Sequence, residues 1–282
     1  MHLFLLVALT MTAFAANSIL NRVGVAIFGM DPMDFAAVRV VAGAAMLWLL
    51  VALRKAPRPA VLTPARLAGA CALGAYMVGF SWAYITLDAG LGALILFGVL
   101  QVVVFGWAVW EGQAIPPMRW IGAGIALAGL CVLLWPAGQA TVPFVGALAM
   151  VLAGVSWAIY TLLGRASPDA LGATASNFLL CVPLAGLAML VAGQGNLPLA
   201  GTLTAITAGA ITSGLGYALW YRVLPQLPTT VAGIAQLSVP VIAVAAGVLI
   251  LGEPLTWRLI IAGGLVLGGI ALSLTVRSAA RR

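Results

Sequence analysis

The chain has 282 residues, of which 64% are hydrophobic and only 7% charged. A mean hydropathy of +1.17 excludes a water-soluble domain of this length. Apolar blocks of about twenty residues exclude a β-barrel, whose alternating segments run to about ten. The net charge of +7 lies spread along the loops, where it sets membrane orientation and forms no nucleic-acid patch.

Ten spans follow in chain order. The first, residues 3–22, opens on an apolar run and an Ala13-Phe14-Ala15 stretch that imitates a secretory signal. Its leading segment lacks Lys and Arg, so a retained helix is expected. The second covers 32–53 and is followed by Arg54, Lys55, Arg58 and Arg66 in a Pro-rich loop. The third, 67–87, is aromatic (Tyr76, Phe80, Trp82, Tyr84), and an Asp88-Ala89-Gly90 turn leads to the fourth, 91–112. The fifth, 120–135, is rich in glycine and alanine, which allows close helix approach. The sixth to tenth spans are 144–164, 172–192, 201–224, 231–253 and 255–276. Cys71, Cys131 and Cys181 each fall inside an apolar block and read as packing residues, with no disulfide frame or metal site.

The second half repeats the first. FAANSILNR (14–22) aligns with WAIYTLLGR (157–165) at an offset of 143, and the same offset pairs Ala42-Gly43 with Ala185-Gly186. The expected organisation is a first repeat at 1–136, a linker at 137–142 and a second repeat at 143–282. Five spans per repeat is an odd number, so the second copy starts on the opposite side of the membrane. The expected fold is an all-α integral membrane protein of ten transmembrane helices in two inverted five-helix repeats. With the N-terminus inside, ten Lys and Arg fall in cytoplasmic loops and the tail, against Arg22 and Arg258 outside. That places both termini in the cytoplasm.

Enzymatic chemistry has little to work with. The lone histidine is His2, the six acids fall at helix ends, and no metal-ligand, nucleophile or phosphate-loop pattern appears. No cofactor is expected, and proton transfer through a buried carboxylate pair has no support. The mid-membrane polar residues are neutral. Asn17 and Asn21 share a helix face, Tyr160 occupies the repeat position of Asn17, Gln101 and Gln236 sit in spans four and nine, and Ser238 follows. With Tyr76, Trp157 and Tyr217 they are the candidate substrate-binding set. The alternative for the amides is an interhelical hydrogen bond. For the rings near span ends (Trp82, Tyr84, Trp220, Tyr221) it is an interfacial belt. Arg39 is the one charge well inside a span. It snorkels or pairs with Asp34 or Asp31, or else it binds a substrate carboxylate. Gly98 and Pro240, each thirteen residues before a glutamate (Glu111, Glu253), are candidate hinges. Spans three, four, eight and nine are expected to line the path.

FAANSILNR, FAAVRVVAGAAML (35–47), WAIYTLLGR and SVPVIAVAAGVLILGEPL (238–255) resemble the drug/metabolite transporter superfamily, specifically its EamA-type exporters. The resemblance covers nearly the whole chain. It departs at Gly98, where such repeats often carry proline, and at Phe14, where tryptophan is common. It implies export of small metabolites, above all amino acids, across the inner membrane. The aromatic cavity looks most like aromatic amino-acid exporters of the YddG type. The expected partners are a small-molecule substrate and the lipid bilayer, with the chain a monomer or homodimer. The alternatives are export of another metabolite or drug-like solute, and a non-transporting membrane scaffold.

Overall fold

The computed structural model describes residues 2–54, 59–112, 115–135, 142–165, 167–227 and 229–275; the side chains of 165, 229–234 and 275 are outside the description. The ten spans appear as α1 (His2–Arg22, extended by a π-helical turn Val23–Ile27), α2 (Pro32–Leu53), α3 (Pro64–Ala83), α4 (Ala89–Trp110), α5 (Pro117–Leu134), α6 (Phe144–Arg165) and α7 (Ala170–Ala192). Then come α8, built of Leu199–Thr207, a π segment Ala208–Leu215 and Gly216–Val223, followed by α9 (Thr229–Leu251) and α10 (Trp257–Thr275). Among the described residues eight helices are long and apolar enough to cross a membrane, and Ala235–Leu251 adds a shorter apolar segment. The α3 sequence dilutes its hydropathy with Arg66, glycines and alanines, and it lies against α6 and α7.

Local chemistry sets the helix ends. Asp31 accepts from the amides of Met33 (2.8 Å) and Asp34 (3.4 Å) ahead of Pro32, and Thr63 Oγ1 accepts from Arg66 N (3.3 Å) ahead of Pro64. Gly112 (φ 67°) and Gly252 (φ 68°) terminate α4 and α9 in the left-handed conformation. The third span ends four residues earlier than expected. Tyr84 leaves the helix, is fully buried, and donates to the carbonyl of Ala89 (3.3 Å).

The packing maps onto itself when the halves are exchanged. Helix α3 packs on α6 as α8 packs on α1, and α4 packs on α6 as α9 does on α1. The same exchange relates α2–α8 to α3–α7, and α2–α7, α4–α9 and α5–α10 pair directly. The expected linker at 137–142 lies outside the described residues except for Val142. Two departures from symmetry matter below. The π segment of α8 has no counterpart in α3. The α4 glycine follows Glu111, whereas the α9 glycine precedes Glu253, so the two helix ends are offset by 140 residues and the two glutamates by 142. Counted from the glycines, Gly98 and Pro240 therefore differ in depth by two residues, about half a turn.

Candidate functional site

A buried polar cluster joins α1, α2, α3 and α8. Asn17 Oδ1 accepts from Thr212 Oγ1 (2.9 Å), and Asn17 Nδ2 donates to Ser213 Oγ (3.5 Å). Asn21 Nδ2 donates to the Asn17 carbonyl (2.9 Å), and its Oδ1 accepts from Ser81 (3.0 Å). Arg39 is fully buried; its Nε donates to Ser213 Oγ (3.1 Å) and its Nη2 to the Tyr76 hydroxyl (3.2 Å). The π segment makes this arrangement possible. Gly209 lies directly on the Arg39 carbonyl, where any Cβ would collide with the α2 backbone, and the close approach brings Thr212 and Ser213 onto Asn17 and Arg39.

Beside this cluster stands an aromatic cage. Trp157 is its centre, with ring centroids 4.9 Å from Tyr76, 5.4 Å from Tyr160 and 5.2 Å from Tyr217. Tyr217 in turn meets Phe14 at 5.7 Å and Phe178 at 5.9 Å. The cage floors a cavity of about 160 Å³ lined by Phe14, Phe97, Trp157, Thr161, Gly164, Ser167, Ala170, Tyr217, Trp220, Tyr221, Leu224, Pro225 and Gln236. Its mouth lies where α6 and α8 finish and α7 begins. At the same end Arg54 forms a two-pronged pair with Asp169 (2.7 and 2.6 Å). At the opposite end, Asn21, Ser81, Tyr84, Leu87 and Ala89 are fully buried. Among the described side chains, none that lines the cavity is acidic or basic.

The structure divides the expected site. Trp157, Tyr217 and Gln236 line the cavity. Tyr76 and Tyr160 stand behind Trp157, and Tyr160 faces Thr174 Oγ1 at 3.5 Å. Asn17 and Asn21 are committed to the polar cluster, Ser238 donates to the carbonyl of Ala235 (2.6 Å), and half-buried Gln101 is away from the lining. Arg39 does not snorkel, and among the described residues it pairs with no acid: it is fully buried, and its hydrogen-bond partners, Ser213 and Tyr76, are neutral. The lining comes from α1, α4, α6, α7, α8 and α9, so α1, α6 and α7 join the expected path and α3 stands behind it. Of the rings with two readings, Trp82 is exposed at a span end, whereas Tyr84 and Trp220 are buried. Both candidate hinge helices, α4 and α9, run unbroken, and a Cβ at Gly98 would lie 2.7 Å from Leu130 Cδ2. Gly98 is thus a close-packing position of α4 on α5. Phe14, Phe97, Thr161, Thr212 and Ser213 were not anticipated. Phe14 sits one turn from Asn17 and Thr161 one turn from Trp157, so helical spacing alone could have found both.

The model of the EamA-like transporter family matches residues 144–275. An uncharacterised protein of Pseudomonas aeruginosa is 46% identical over 276 residues, covering 97% of this chain and 94% of that protein. The probable terminal-alkyne amino-acid exporter of Streptantibioticus cattleyicolor is 26% identical, covering 93% and 88% of the two chains. The threonine/homoserine exporter RhtA of Escherichia coli K12 is 29% identical over 167 residues, 57% of this chain and 56% of RhtA. A crystal structure at 20% identity superposes over 95% of this chain and 97% of its own with a TM-score of 0.69, a likeness of fold. With the family model matching its second half and a relative 46% identical across 97% of its length, the chain belongs to the EamA-like transporter family.

Proposed function

We propose that the protein exports neutral amino acids with apolar or aromatic side chains across the inner membrane by alternating access, with both termini in the cytoplasm. The observation that carries this reading is the cavity: about 160 Å³ of space between stiff rings, with Thr161, Ser167 and Gln236 as neutral polar groups and no charge among the described lining side chains. A cavity of about 150 Å³ holds one benzene-sized solute. Drug-sized ligands occupy roughly 300–1,000 Å³, so the volume favours a small metabolite over a drug-like one. Tyr and Trp enclose an apolar side chain at little entropic cost. The two exporters named above, one of threonine and homoserine and one probably of a terminal-alkyne amino acid, support the amino-acid class. In the orientation set by the loop charges, the mouth faces the cytoplasm, where an exporter loads.

The test is counterflow in proteoliposomes with labelled phenylalanine or threonine, competed by a panel. Phenylalanine and other neutral amino acids are expected to compete better than lysine, glutamate or a phosphorylated sugar. Best competition by glutamate or the phosphorylated sugar would sink the neutral-cavity reading.

A further inference from the structure

We infer that Arg39 is the group that receives the solute's carboxylate, so that the transported class is defined by a free carboxylate as well as by the ring or alkyl group in the cage. The inference rests on the amino-acid reading above and concerns the same translocation path.

Arg39 is fully buried about a third of the way along α2, yet its hydrogen-bond partners among the described residues are neutral. Nε and Nη2 reach Ser213 and the Tyr76 hydroxyl, and the group lies over the rings of Tyr76 (5.5 Å) and Phe80 (5.2 Å). Nη1 has no hydrogen-bond acceptor. Among the described residues no ion pair involves Arg39, whereas Arg22 and Arg54 both have one. A buried cation is ordinarily paired, because withdrawing it from water is strongly unfavourable unless an anion or a full set of acceptors replaces the water. A guanidinium has five N–H donors in a planar fork that matches a carboxylate, and here one arm of the fork is unoccupied.

The position suits a solute arriving from the cavity. One ring layer separates the two: Tyr76, bonded to Arg39, meets Trp157 at a tilt (41° between planes), and Trp157 lines the cavity. A solute that parts Tyr76 from Trp157 brings its carboxylate to Nη1 and leaves its ammonium and side chain among the rings, where a cation is also attracted. Of the candidate amides, Asn17 is already bonded inside the protein, to Thr212 and Ser213, and Asn21 to the Asn17 carbonyl and Ser81. Exchanging the repeats puts Val182 at the place of Arg39, so only one such anchor exists and the solute binds in one orientation.

The experiment uses the full-length protein in proteoliposomes. Counterflow of labelled phenylalanine is competed by phenylalanine, phenylalaninamide and phenethylamine, which keep the ring and the cationic nitrogen and remove the carboxylate stepwise. In the wild type the amide and the amine are expected to compete at least about tenfold more weakly than the acid. Arg39→Gln is expected to bring the three toward equal potency, and Arg39→Lys to keep part of the discrimination, since the charge remains and the fork is lost. A merely structural arginine would lower all transport without changing that ratio. Equal competition in the wild type overturns the inference with no variant needed, as does unchanged discrimination in an inserted Arg39→Gln. Should Arg39→Gln not insert, the wild-type ratio and Arg39→Lys decide. Absence of exchange for every amino acid in the wild type would instead bring down the amino-acid reading, and the inference with it.

Discussion

The two ends of the helix bundle are built from equivalent helices, yet one is shut and the other open. At the shut end Glu253, from the α9–α10 turn, reaches across to the start of α4 and accepts from the amides of Ala89 (2.7 Å) and Gly90 (3.4 Å). Arg22, ending α1, donates to the carbonyls of Tyr84 and Ile85 (both 3.2 Å) and lies 3.5 Å from Asp88 and 3.9 Å from Glu253. At the open end the helices part around the cavity mouth, and Glu111, which ends α4, is exposed. At the shut end the order of glycine and glutamate shapes the closure. Glu253 follows its left-handed glycine and is folded back by a bond from its own amide to the Gly247 carbonyl (3.0 Å), which aims its carboxylate at the other repeat. Glu111 precedes its glycine. A near-repeat in sequence thus sets its two glutamates differently against the helix-ending glycine, and at the shut end this order caps α4.

Which end faces the cytoplasm is an all-or-none matter. A reporter active only in the periplasm, fused after Arg282, is expected to be silent; a strong signal would exchange the two ends and make the open mouth periplasmic. Next in size is removal of the cap. A charged group bonded to helix N-terminal amides contributes about 1–3 kcal/mol, so Glu253→Ala should shift the shut end toward opening by roughly tenfold or more. Spin labels at Ile85 and Leu255, both exposed, in a background without Cys71, Cys131 and Cys181, should report a longer distance. An unchanged distance distribution would remove Glu253 from the closure. Pro240→Ala should slow transport several-fold with less effect on folding, if straightening α9 hinders the change between conformations. Gly98→Ala should act through packing against Leu130 and cost about 1–3 kcal/mol of stability. A wild-type rate in Pro240→Ala would end the hinge idea.

Much of the fold was legible because the bilayer imposes it: spans must be about twenty apolar residues, and Pro, Gly and charge punctuate them. The repeat was legible because its register holds across two helices. The site was legible only in part. Trp157, Tyr217 and Gln236 lie on the lining, as helical spacing and polarity suggested. The π segment of α8 was not readable, because it depends on Gly209 meeting the α2 backbone, a contact that no local pattern encodes. The same holds for the partners of Arg39 and Asn17. Periodicity tells which face a residue is on, but Ser213 lies 174 residues from Arg39 and 196 from Asn17. Helix-end acids were readable as such; that Glu253 caps a helix 164 residues earlier was not.

Acidity should separate the two ends further. Burial pushes the Glu253 carboxyl above the usual range, with Asp88 adding to the rise and the Ala89 and Gly90 amides and Arg22 opposing it. In an opened end the carboxyl would be hydrated and titrate near its ordinary value of about 4.3. The shut form therefore binds the proton more tightly, and a falling pH favours it through the window between those two values. The Ile85–Leu255 distance should shift toward its shorter population on acidification. A shift toward the longer one, or none, would contradict the assigned burial. Asp169 behaves oppositely: the hydrogen bond from Arg54 holds it below the usual carboxylate range. Its contribution to stability is present above the ordinary value and fades only as pH falls through the lower, folded one.

The smallest effect is expected at that second pair. Arg54 and Asp169 make a two-pronged contact, but their side chains are 20% and 41% exposed, so water and salt screen much of the attraction. Moreover, the pair is intact while the cavity mouth beside it stands open, so it does not close this end; it ties the finish of α2 to the start of α7, two helices that pack together along the bundle. Asp169 also accepts from the Gly172 amide (2.9 Å) and so keeps its capping role without Arg54. Arg54→Ala should therefore cost below about 1 kcal/mol, lower the apparent Tm by no more than a few degrees, and leave the rate of counterflow close to that of the wild type. Asp169→Ala should cost more, because it removes the cap as well as the pair. If Arg54→Ala instead slowed exchange as strongly as Glu253→Ala, both ends would be gated by charge, and the contrast between a latched end and a tethered one would fail.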